Sequence, residues 1–268
     1  NELNARIATY VAKNEGFYLN DLAYLACRFG LDNWFSESEW YLYKYAVSMQ
    51  YIPELCHNIS LIIKSLLGKN KKGLVLDLDN TLWGGVIGEV GAEGVELSTE
   101  TPAGMAYSEF QQYLRQLEDL GILLNVASKN EKSIALTGFE RDDSPLKRKD
   151  FLCFKANWEP KSENIAKIAQ EINILPESLV FVDDNPAERE IVRQQLPAVT
   201  IASFDSPEGM IAALDRAGYF EITALSADDA KRNEMYRQNL QRAAAQQSFG
   251  SYEDYLRSLE MTAELGAF

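Results

Sequence analysis

The chain has 268 residues and a formal net charge of −14, from 26 Lys and Arg against 40 Asp and Glu. Apolar residues make up 46% and charged residues 25%, which are globular proportions and exclude a wholly disordered chain. The acidic balance argues against a general nucleic-acid binder, which needs a surplus of Lys and Arg to release counterions from phosphates.

No run of the sequence reaches the ~18–20 apolar residues that a membrane span needs, and the first residues lack the pattern of a signal peptide. The three cysteines, Cys27, Cys56 and Cys153, are too few and too scattered for a disulfide framework or a zinc site. These features predict a cytoplasmic, reduced protein with no membrane partner. Because the sequence begins at Asn1 without a Met, we expect a piece of a longer chain.

The first zone, residues 1–69, is rich in aromatic residues and carries apolar residues at helical spacing. Examples are the series Leu22, Leu25, Ala26 and Phe29, which is typical of one face of a helix. A basic, turn-prone link at residues 68–73 ends this zone. We therefore predict a mostly helical N-terminal segment.

The middle zone, residues 70–222, alternates predicted strands and helices. Short apolar runs predict buried parallel strands, and helical spacing predicts helices between them. Strands alternating with helices indicate a doubly wound α/β fold with a parallel sheet. The predicted strands are Gly73–Leu76, Ile122–Val126, Leu179–Val182 and Val199–Ile201, and the predicted helices are Gly104–Leu120, Ser162–Ile172 and Glu188–Gln195.

Two further expectations concern the surroundings of this sheet. Glycines recur between Asn80 and Gly104, which predicts a flap over the site, but no long insertion follows the flap or Lys161. We therefore expect no large cap domain and an open site. Residues 223–268 are predicted as a charged helical extension, in which residues 226–229 supply an N-cap and first-turn acids.

The strongest chemical signal is the segment Asp77-Leu78-Asp79-Asn80-Thr81, directly after the first strand. Residues i and i+2 of a strand point the same way, so Asp77 and Asp79 are predicted to meet at the edge of the sheet. Two such carboxylates repel unless a cation lies between them, and hard oxygen ligands suit Mg²⁺. Asp77 can then attack phosphorus, while Asp79 protonates the leaving group and later activates water. The structural alternative is an Asx-turn.

Three more polar elements accompany this segment. Asp183 and Asp184 end another strand, although acids there can also cap the next helix. Lys161 begins a helix, where the dipole disfavours a cation unless a bound phosphate is shared with the local N–H groups; the alternative is a plain surface lysine. The range Ser128–Asn130 ends a third strand, and its hydroxyl can bind phosphate or act as an N-cap. Because ligands bind at the carboxyl ends of parallel strands, this layout predicts an active site.

These four elements, in this order, resemble the motifs of the haloacid dehalogenase (HAD) superfamily of phosphohydrolases and phosphotransferases. The longer strings at residues 75–89, 128–130, 156–164 and 181–190 resemble its FkbH-like branch, also called HAD subfamily IIIC. The resemblance covers about residues 70–222 and continues more weakly to about residue 262. It implies a cytoplasmic, Mg²⁺-dependent enzyme with a Rossmann-like HAD fold. In the best-known members of that branch, a glyceryl unit from a phosphorylated glycerate passes to an acyl carrier protein.

The resemblance also implies residue roles. Asp77 would be the nucleophile and Asp79 the acid/base, with the Asp79 backbone carbonyl also on Mg²⁺. Asn80 and Thr81 would shape the loop that carries them. The expected metal ligands are Asp77, Asp79, Asp183 and Asp184, and the expected substrate-binding residues are Asn80, Thr81, Ser128, Lys129, Asn130 and Lys161.

One position departs from the glyceryl-transferring members, which carry an acyl-accepting cysteine just before the Ser-Lys-Asn string. Here that position is Ala127, and Cys153 of the middle zone is predicted to be a buried apolar residue. The first hypothesis is therefore phosphate-ester chemistry through an aspartyl-phosphate, on a phosphorylated small or carrier-linked substrate. Glyceryl transfer to an acyl carrier protein and a non-catalytic scaffold module are the alternatives. The resemblance further suggests that residues 1–69 are the tail of an upstream domain.

Overall fold

The structure is a computed structural model that describes residues 2–223 and 231–248. The chain divides into two compact units, one of Asn1–Asn70 with Gly218–Leu225 and one of Lys71–Ala217 with Ser226–Phe268. The three-part division predicted from the sequence, with boundaries after residues 69 and 222, stays a prediction. The first predicted turn of the C-terminal extension, residues 226–229, lies outside the described residues.

The first unit is helical. Asp21 begins the second helix by accepting a hydrogen bond from the Tyr24 N–H at 3.0 Å, which is the usual role of an N-cap side chain. A small core forms around Leu25, Ala26 and Trp34. The helices of this unit are α1 (Glu2–Lys13), α2 (Leu22–Phe29), α3 (Leu31–Trp34), α4 (Glu37–Tyr43) and α5 (Ile52–Leu66).

The second unit contains a five-stranded, fully parallel sheet in the order β3-β2-β1-β4-β5. In this order β1 is the central strand, and Leu76 near its end lies beside Val126 of β2 and Val182 of β4. The predicted α/β class and parallel sheet are confirmed. The strands are β1 (Gly73–Leu76), β2 (Leu123–Ser128), β3 (Phe151–Ala156), β4 (Leu179–Val182) and β5 (Thr200–Ile201).

Helices flank the sheet, and two of them begin with a side-chain cap. Thr101 caps α7 through the Gly104 N–H at 3.0 Å, and Asn185 caps α10 through the Ala187 N–H at 2.9 Å. None of the helices among the described residues has the length and apolar character of a membrane span. The helices are α6 (Ile87–Gly94), α7 (Pro102–Asp119), α8 (Lys132–Thr137), α9 (Lys161–Glu171), α10 (Pro186–Gln195), α11 (Met210–Ala217) and α12 (Arg232–Ser248).

The connections at the carboxyl edge of the sheet are short. Residues 77–101 link β1 to α7 and contain only the short helix α6, and four residues link β3 to α9. Within the described residues, neither connection holds a large cap, as the sequence predicts.

Strand β3 is not predicted from the sequence, and neither are the short helices α6, α8 and α11. Strand β3 pairs with β2 across an irregular register between Leu124 and Val126. The fully buried Asn125 lies at this irregularity, where its amide donates to the Leu74 carbonyl at 3.2 Å and its Oδ1 accepts from the Cys153 N–H at 3.2 Å. The Asn125 side chain therefore joins β2 to both neighbouring strands and satisfies backbone groups that the bulge would leave unpaired.

Candidate active site

The loop after β1 brings the first motif to the carboxyl edge of the sheet. The Asp77 N–H continues the ladder by donating to the Val182 carbonyl at 3.0 Å. The chain then turns, since the Leu82 N–H donates to the Leu78 carbonyl at 2.7 Å. Asn80 sits in this turn with a left-handed φ of 54°, a conformation that Asn tolerates better than most residues.

Asn80 and Thr81 hold the loop in shape, as the sequence predicts for them. The Asn80 Oδ1 accepts from the Gly85 N–H at 2.8 Å. The fully buried Thr81 accepts at Oγ1 from the Asp184 N–H at 3.2 Å. This second bond fixes the ends of β1 and β4 relative to each other. The predicted contact of these two side chains with substrate stays a prediction.

Asp77 forms a buried ion triad with Lys161 and Asp183. The Lys161 Nζ lies 3.0 Å from Asp77 Oδ1 and 2.6 Å from Asp183 Oδ2. The exposed fraction is 5% for Asp77, 4% for Lys161 and 0% for Asp183. Lys161 is the first residue of α9, so its unusual position at a helix start is explained by two anions that it reaches across the sheet edge.

Burial dominates the electrostatics of this triad. It raises the pKa of Asp77 to about 6, against the opposing effect of Lys161 and with reinforcement from Asp183. Burial also raises the pKa of Asp183 and of Asp184. It lowers the pKa of Lys161, but the two neighbouring carboxylates outweigh this effect and the net shift is upward. The site thus carries more negative charge than one ammonium group can balance.

Three carboxylates are arranged to hold a cation. One oxygen each of Asp77, Asp183 and Asp184 lies within 4.8 Å of the others. Although Lys161 is near, no donor of good hydrogen-bond geometry reaches the buried Asp77 Oδ1. A buried carboxylate oxygen without a hydrogen-bond partner, beside two further acids, fits a small hard cation that prefers oxygen ligands.

Asp79 lies outside this three-acid group. Its Oδ1 accepts from the Trp83 indole N–H at 3.0 Å and from the Ile87 backbone N–H at 3.1 Å, and its Oδ2 accepts from the Asn130 amide at 2.9 Å. The extended backbone of β1 ends at Leu76 and the chain turns directly after Asp77, so the two carboxyl groups meet different partners. The predicted place of Asp79 among the metal ligands, through its side chain or its carbonyl, stays a prediction.

The end of β2 contributes the remaining predicted residues. Ser128 is buried, and its hydroxyl acts to lower the pKa of Asp77, so it lies close to the Asp77 carboxyl group. Asn130 is also buried, and its amide bridges Asp79 Oδ2 and the Ser128 hydroxyl, the latter at 3.3 Å. Lys129 is 40% exposed and forms an ion pair with Glu188 at 2.5 Å. Its predicted role in substrate binding stays a prediction.

Sequence reasoning missed Trp83 and the Ile87 N–H as partners of Asp79. No spacing signal predicts the Trp83 contact, because an apolar residue after a turn more often joins the core. The donor at Ile87 is a backbone group at the start of α6, which only the position of that helix reveals.

No protein-family profile and no curated protein sequence matches the chain. Among solved structures, it resembles the N-terminal part of a Bacteroides fragilis protein that contains a phosphatase domain complexed with Mg, with 35% identity and a TM-score of 0.79. The match covers 83% of this chain and 60% of that one, so this chain spans less than two thirds of that structure. This similarity confirms the predicted HAD-like, Rossmann-type fold.

Two other structures are more distant. A HAD-superfamily hydrolase from Geobacter sulfurreducens is 15% identical, covering 54% of this chain and 100% of that one, with a TM-score of 0.35. A 3-deoxy-D-manno-octulosonate 8-phosphate phosphatase from Moraxella catarrhalis, in complex with magnesium, phosphate and the sugar acid, is 14% identical. It covers 70% of this chain and 98% of that one, with a TM-score of 0.36. At these values the two add nothing to the first similarity.

Proposed function

We propose that the chain is a Mg²⁺-dependent phosphohydrolase or phosphotransferase of the HAD superfamily, which acts through an aspartyl-phosphate on Asp77. The observation that carries this proposal is the buried Asp77, whose Oδ1 has no hydrogen-bond donor of good geometry although Lys161 Nζ lies 3.0 Å away, set beside Asp183 and Asp184 at the carboxyl edge of a parallel sheet. The 35% identity to a phosphatase domain complexed with Mg supports the same reading and favours Mg²⁺ as the cation.

The chemistry follows from the positions of the side chains. A carboxylate oxygen of Asp77 attacks phosphorus as the bond from phosphorus to the leaving oxygen breaks, and a protonated Asp79 delivers its proton to that oxygen. Water then attacks the phosphorus, Asp79 takes a proton from it, and the Asp77–phosphate bond breaks. An acceptor hydroxyl in place of water would give phosphoryl transfer.

Three groups support these steps. Ser128 beside Asp77 can donate to a phosphate oxygen, and Lys161 can offset the negative charge of the phosphoryl group. Mg²⁺, when bound by Asp77, Asp183 and Asp184, supplies charge stabilisation that offsets repulsion between carboxylate and phosphate.

The test is hydrolysis of p-nitrophenyl phosphate with Mg²⁺ and with a chelator. We expect turnover with Mg²⁺, loss of turnover with the chelator, and no measurable turnover by Asp77→Asn, which should still fold and unfold cooperatively. Asp142→Asn makes the same chemical change at an exposed acid and serves as the matched control, with wild-type turnover expected. Turnover by Asp77→Asn equal to that of wild type contradicts the nucleophile assignment, and the scaffold alternative gains if Mg²⁺ also fails to raise the melting temperature.

We further propose that the chain belongs to the FkbH-like branch, supported by its four motif strings, and that its substrate is a phosphorylated small molecule or a group borne by an acyl carrier protein. Thiol-mediated glyceryl transfer is not favoured. Ala127 replaces the expected cysteine, and Cys153 is buried within β3. Burial, reinforced by Glu171, raises the pKa of its thiol to about 12, which disfavours the nucleophilic thiolate.

Incubation with phosphorylated glycerate and a carrier protein, followed by intact-mass measurement, tests the carrier. An acyl adduct on the carrier would establish transfer, and its absence leaves hydrolysis. A cytoplasmic location is proposed as well, on the observation that Cys27, Cys56 and Cys153 are all free thiols.

A further inference from the structure

We propose that Trp83 is a positioning residue for the reaction, which fixes the carboxyl group of Asp79 so that Oδ2 faces the reacting phosphate and Oδ1 faces the protein interior. This inference rests on the proposed function, because it assumes that Asp79 is the general acid. The motif pattern gives no role to Trp83 and does not distinguish the two oxygens of Asp79.

The two oxygens of Asp79 have different hydrogen-bond partners. Oδ1 accepts two hydrogen bonds, from the Trp83 indole at 3.0 Å and from the Ile87 N–H at 3.1 Å. Neither donor can accept a proton in return. A proton on Oδ1 would face two N–H groups, so the arrangement reserves Oδ1 as an acceptor.

Oδ2 of Asp79 accepts one hydrogen bond, from the Asn130 amide, and the same amide donates to Ser128. The Ser128 hydroxyl in turn interacts with the Asp77 carboxyl group and acts to lower its pKa. Oδ2 therefore lies on the side of the nucleophile and retains acceptor capacity, which makes it the oxygen that can exchange a proton with the leaving group.

Trp83 is itself held in place by its packing. Its side chain is fully buried, and its ring packs edge-on against Phe139 with 5.2 Å between ring centroids. The other edge of the indole abuts Gly138, where an added Cβ would lie 2.8 Å from Trp83 Cη2. A side chain held on both sides transmits its position to the carboxylate it contacts.

The consequence can be measured through the leaving group. Departure of an alkoxide needs a proton from the general acid, whereas p-nitrophenolate leaves without one. General acid catalysis contributes about 10²–10⁴-fold where it is needed. Misplacement of the Asp79 carboxyl should therefore slow alkyl phosphates more than aryl phosphates, whereas a general structural defect should slow both equally.

The experiment compares kcat/KM for β-glycerol phosphate and p-nitrophenyl phosphate in Trp83→Phe, which keeps an aromatic ring and removes the indole donor. We expect the alkyl ester to lose about tenfold or more and the aryl ester about threefold or less. Trp34→Phe is the matched control, since it makes the same chemical change at a buried indole in the core of the helical unit, and it should keep the wild-type ratio. In an Asp79→Asn background, Trp83→Phe should leave the ratio unchanged.

A second variant covers the case in which Trp83→Phe does not fold. Gly138 has an ordinary helical φ of −62°, so Gly138→Ala adds no backbone strain and acts by displacing the indole. It should shift the ratio in the same direction. If wild type hydrolyses both esters and both variants keep its ratio, the positioning inference is overturned while the proposed function stands. If wild type hydrolyses neither ester with Mg²⁺, the proposed function itself fails.

Discussion

Asp77 and Asp79 stand two residues apart in one motif, yet the structure holds them in opposite ways. Asp77 lies against the ammonium group of Lys161 and shares it with Asp183. Asp79 receives only N–H donors, from Trp83, Ile87 and Asn130. One carboxylate is surrounded by charge and the other by neutral dipoles.

This difference matches the two roles in the proposed reaction, with Asp77 as nucleophile and Asp79 as general acid. A nucleophile beside charged groups responds to whatever cation is present, because its local charge balance is incomplete. A general acid must offer its proton from a fixed direction, and three geometrically constrained donors provide that direction. Asp77 is therefore the charge-dependent carboxylate and Asp79 the geometry-dependent one. Variants of their neighbours and the pH dependence of stability test this contrast.

The largest effect is expected at Lys161. Lys161→Met leaves Asp77 and Asp183 buried without the cation that lies within 3.0 Å of each. Loss of one partner from a buried ion pair typically costs about 3–5 kcal/mol of the free energy of unfolding. Urea unfolding in a chelator measures this loss, and Mg²⁺ should restore part of it because the carboxylates then have another cation.

Lys167→Met provides the matched control for this variant. Lys167 lies on the surface of the same helix and pairs with Glu159, which precedes the helix. An exposed ion pair of this kind contributes little to the free energy of unfolding. If the two variants lose equal stability, the interpretation that Asp77 depends on the charge of Lys161 is wrong.

The pH dependence of stability is the second test. Burial raises the pKa of Asp77 from 3.8 to about 6 in the folded protein, so the folded state binds the proton more tightly than the unfolded state. The stability that this tighter proton binding contributes to the folded state is fully present below about pH 4 and is lost as the pH rises through 6. Without metal, this loss amounts to roughly 2–3 kcal/mol at neutral pH.

Unfolding free energies measured in a chelator from pH 4 to 8 give this profile. In Asp77→Asn the decline between pH 4 and 7 should become shallower, because the variant removes the titrating group. An unchanged slope would mean that other groups, such as Asp183, dominate the titration.

Sequence patterns predict the sheet and the charged half of the site well. Short apolar runs that end in acids mark β1 and β4, and their carboxyl ends must meet in a parallel sheet, so Asp77 and Asp183 could be brought together from the sequence alone. Lys161 was included as a phosphate ligand, because a cation at a helix start favours an anionic partner, but its contacts with Asp77 and Asp183 were not predicted.

The contacts that hold the Asp79 carboxyl group could not be derived from the sequence in this way. The sequence placed Asp79 next to Asp77 but gave no sign of the donors that hold its carboxyl group, because the chain turns at Leu78. Strand β3 was missed because its apolar run at residues 151–154 leads into Lys155 and not into the acids that follow β1 and β4. Trp83 and Ile87 lie four and eight residues beyond Asp79, but the turn that brings the indole and the backbone N–H to its carboxyl group leaves no mark in the apolar and charge patterns.

The third prediction concerns the N–H donors that fix the carboxyl group of Asp79. Asn130→Ala removes the donor to Asp79 Oδ2 and should cost about 2 kcal/mol of unfolding free energy, as expected for a buried hydrogen bond to a charged group. Asn130→Asp sets a second carboxylate against Asp79 and should cost more at neutral pH. Urea unfolding of both variants decides the matter. Equal losses would show that the amide acts by packing and not by donating to Asp79.

The smallest effect on stability is expected at Lys129, which is 40% exposed and paired with Glu188. Lys129→Met should change the unfolding free energy by less than about 1 kcal/mol, since exposed ion pairs contribute little. If Lys129 binds the substrate phosphate, KM for p-nitrophenyl phosphate should rise while kcat is kept, which marks a loss of uniform binding. Glu188→Gln, which releases the lysine, should not raise KM. An unchanged KM in Lys129→Met would assign Lys129 to the ion pair alone and leave Lys161 and Ser128 as the phosphate contacts.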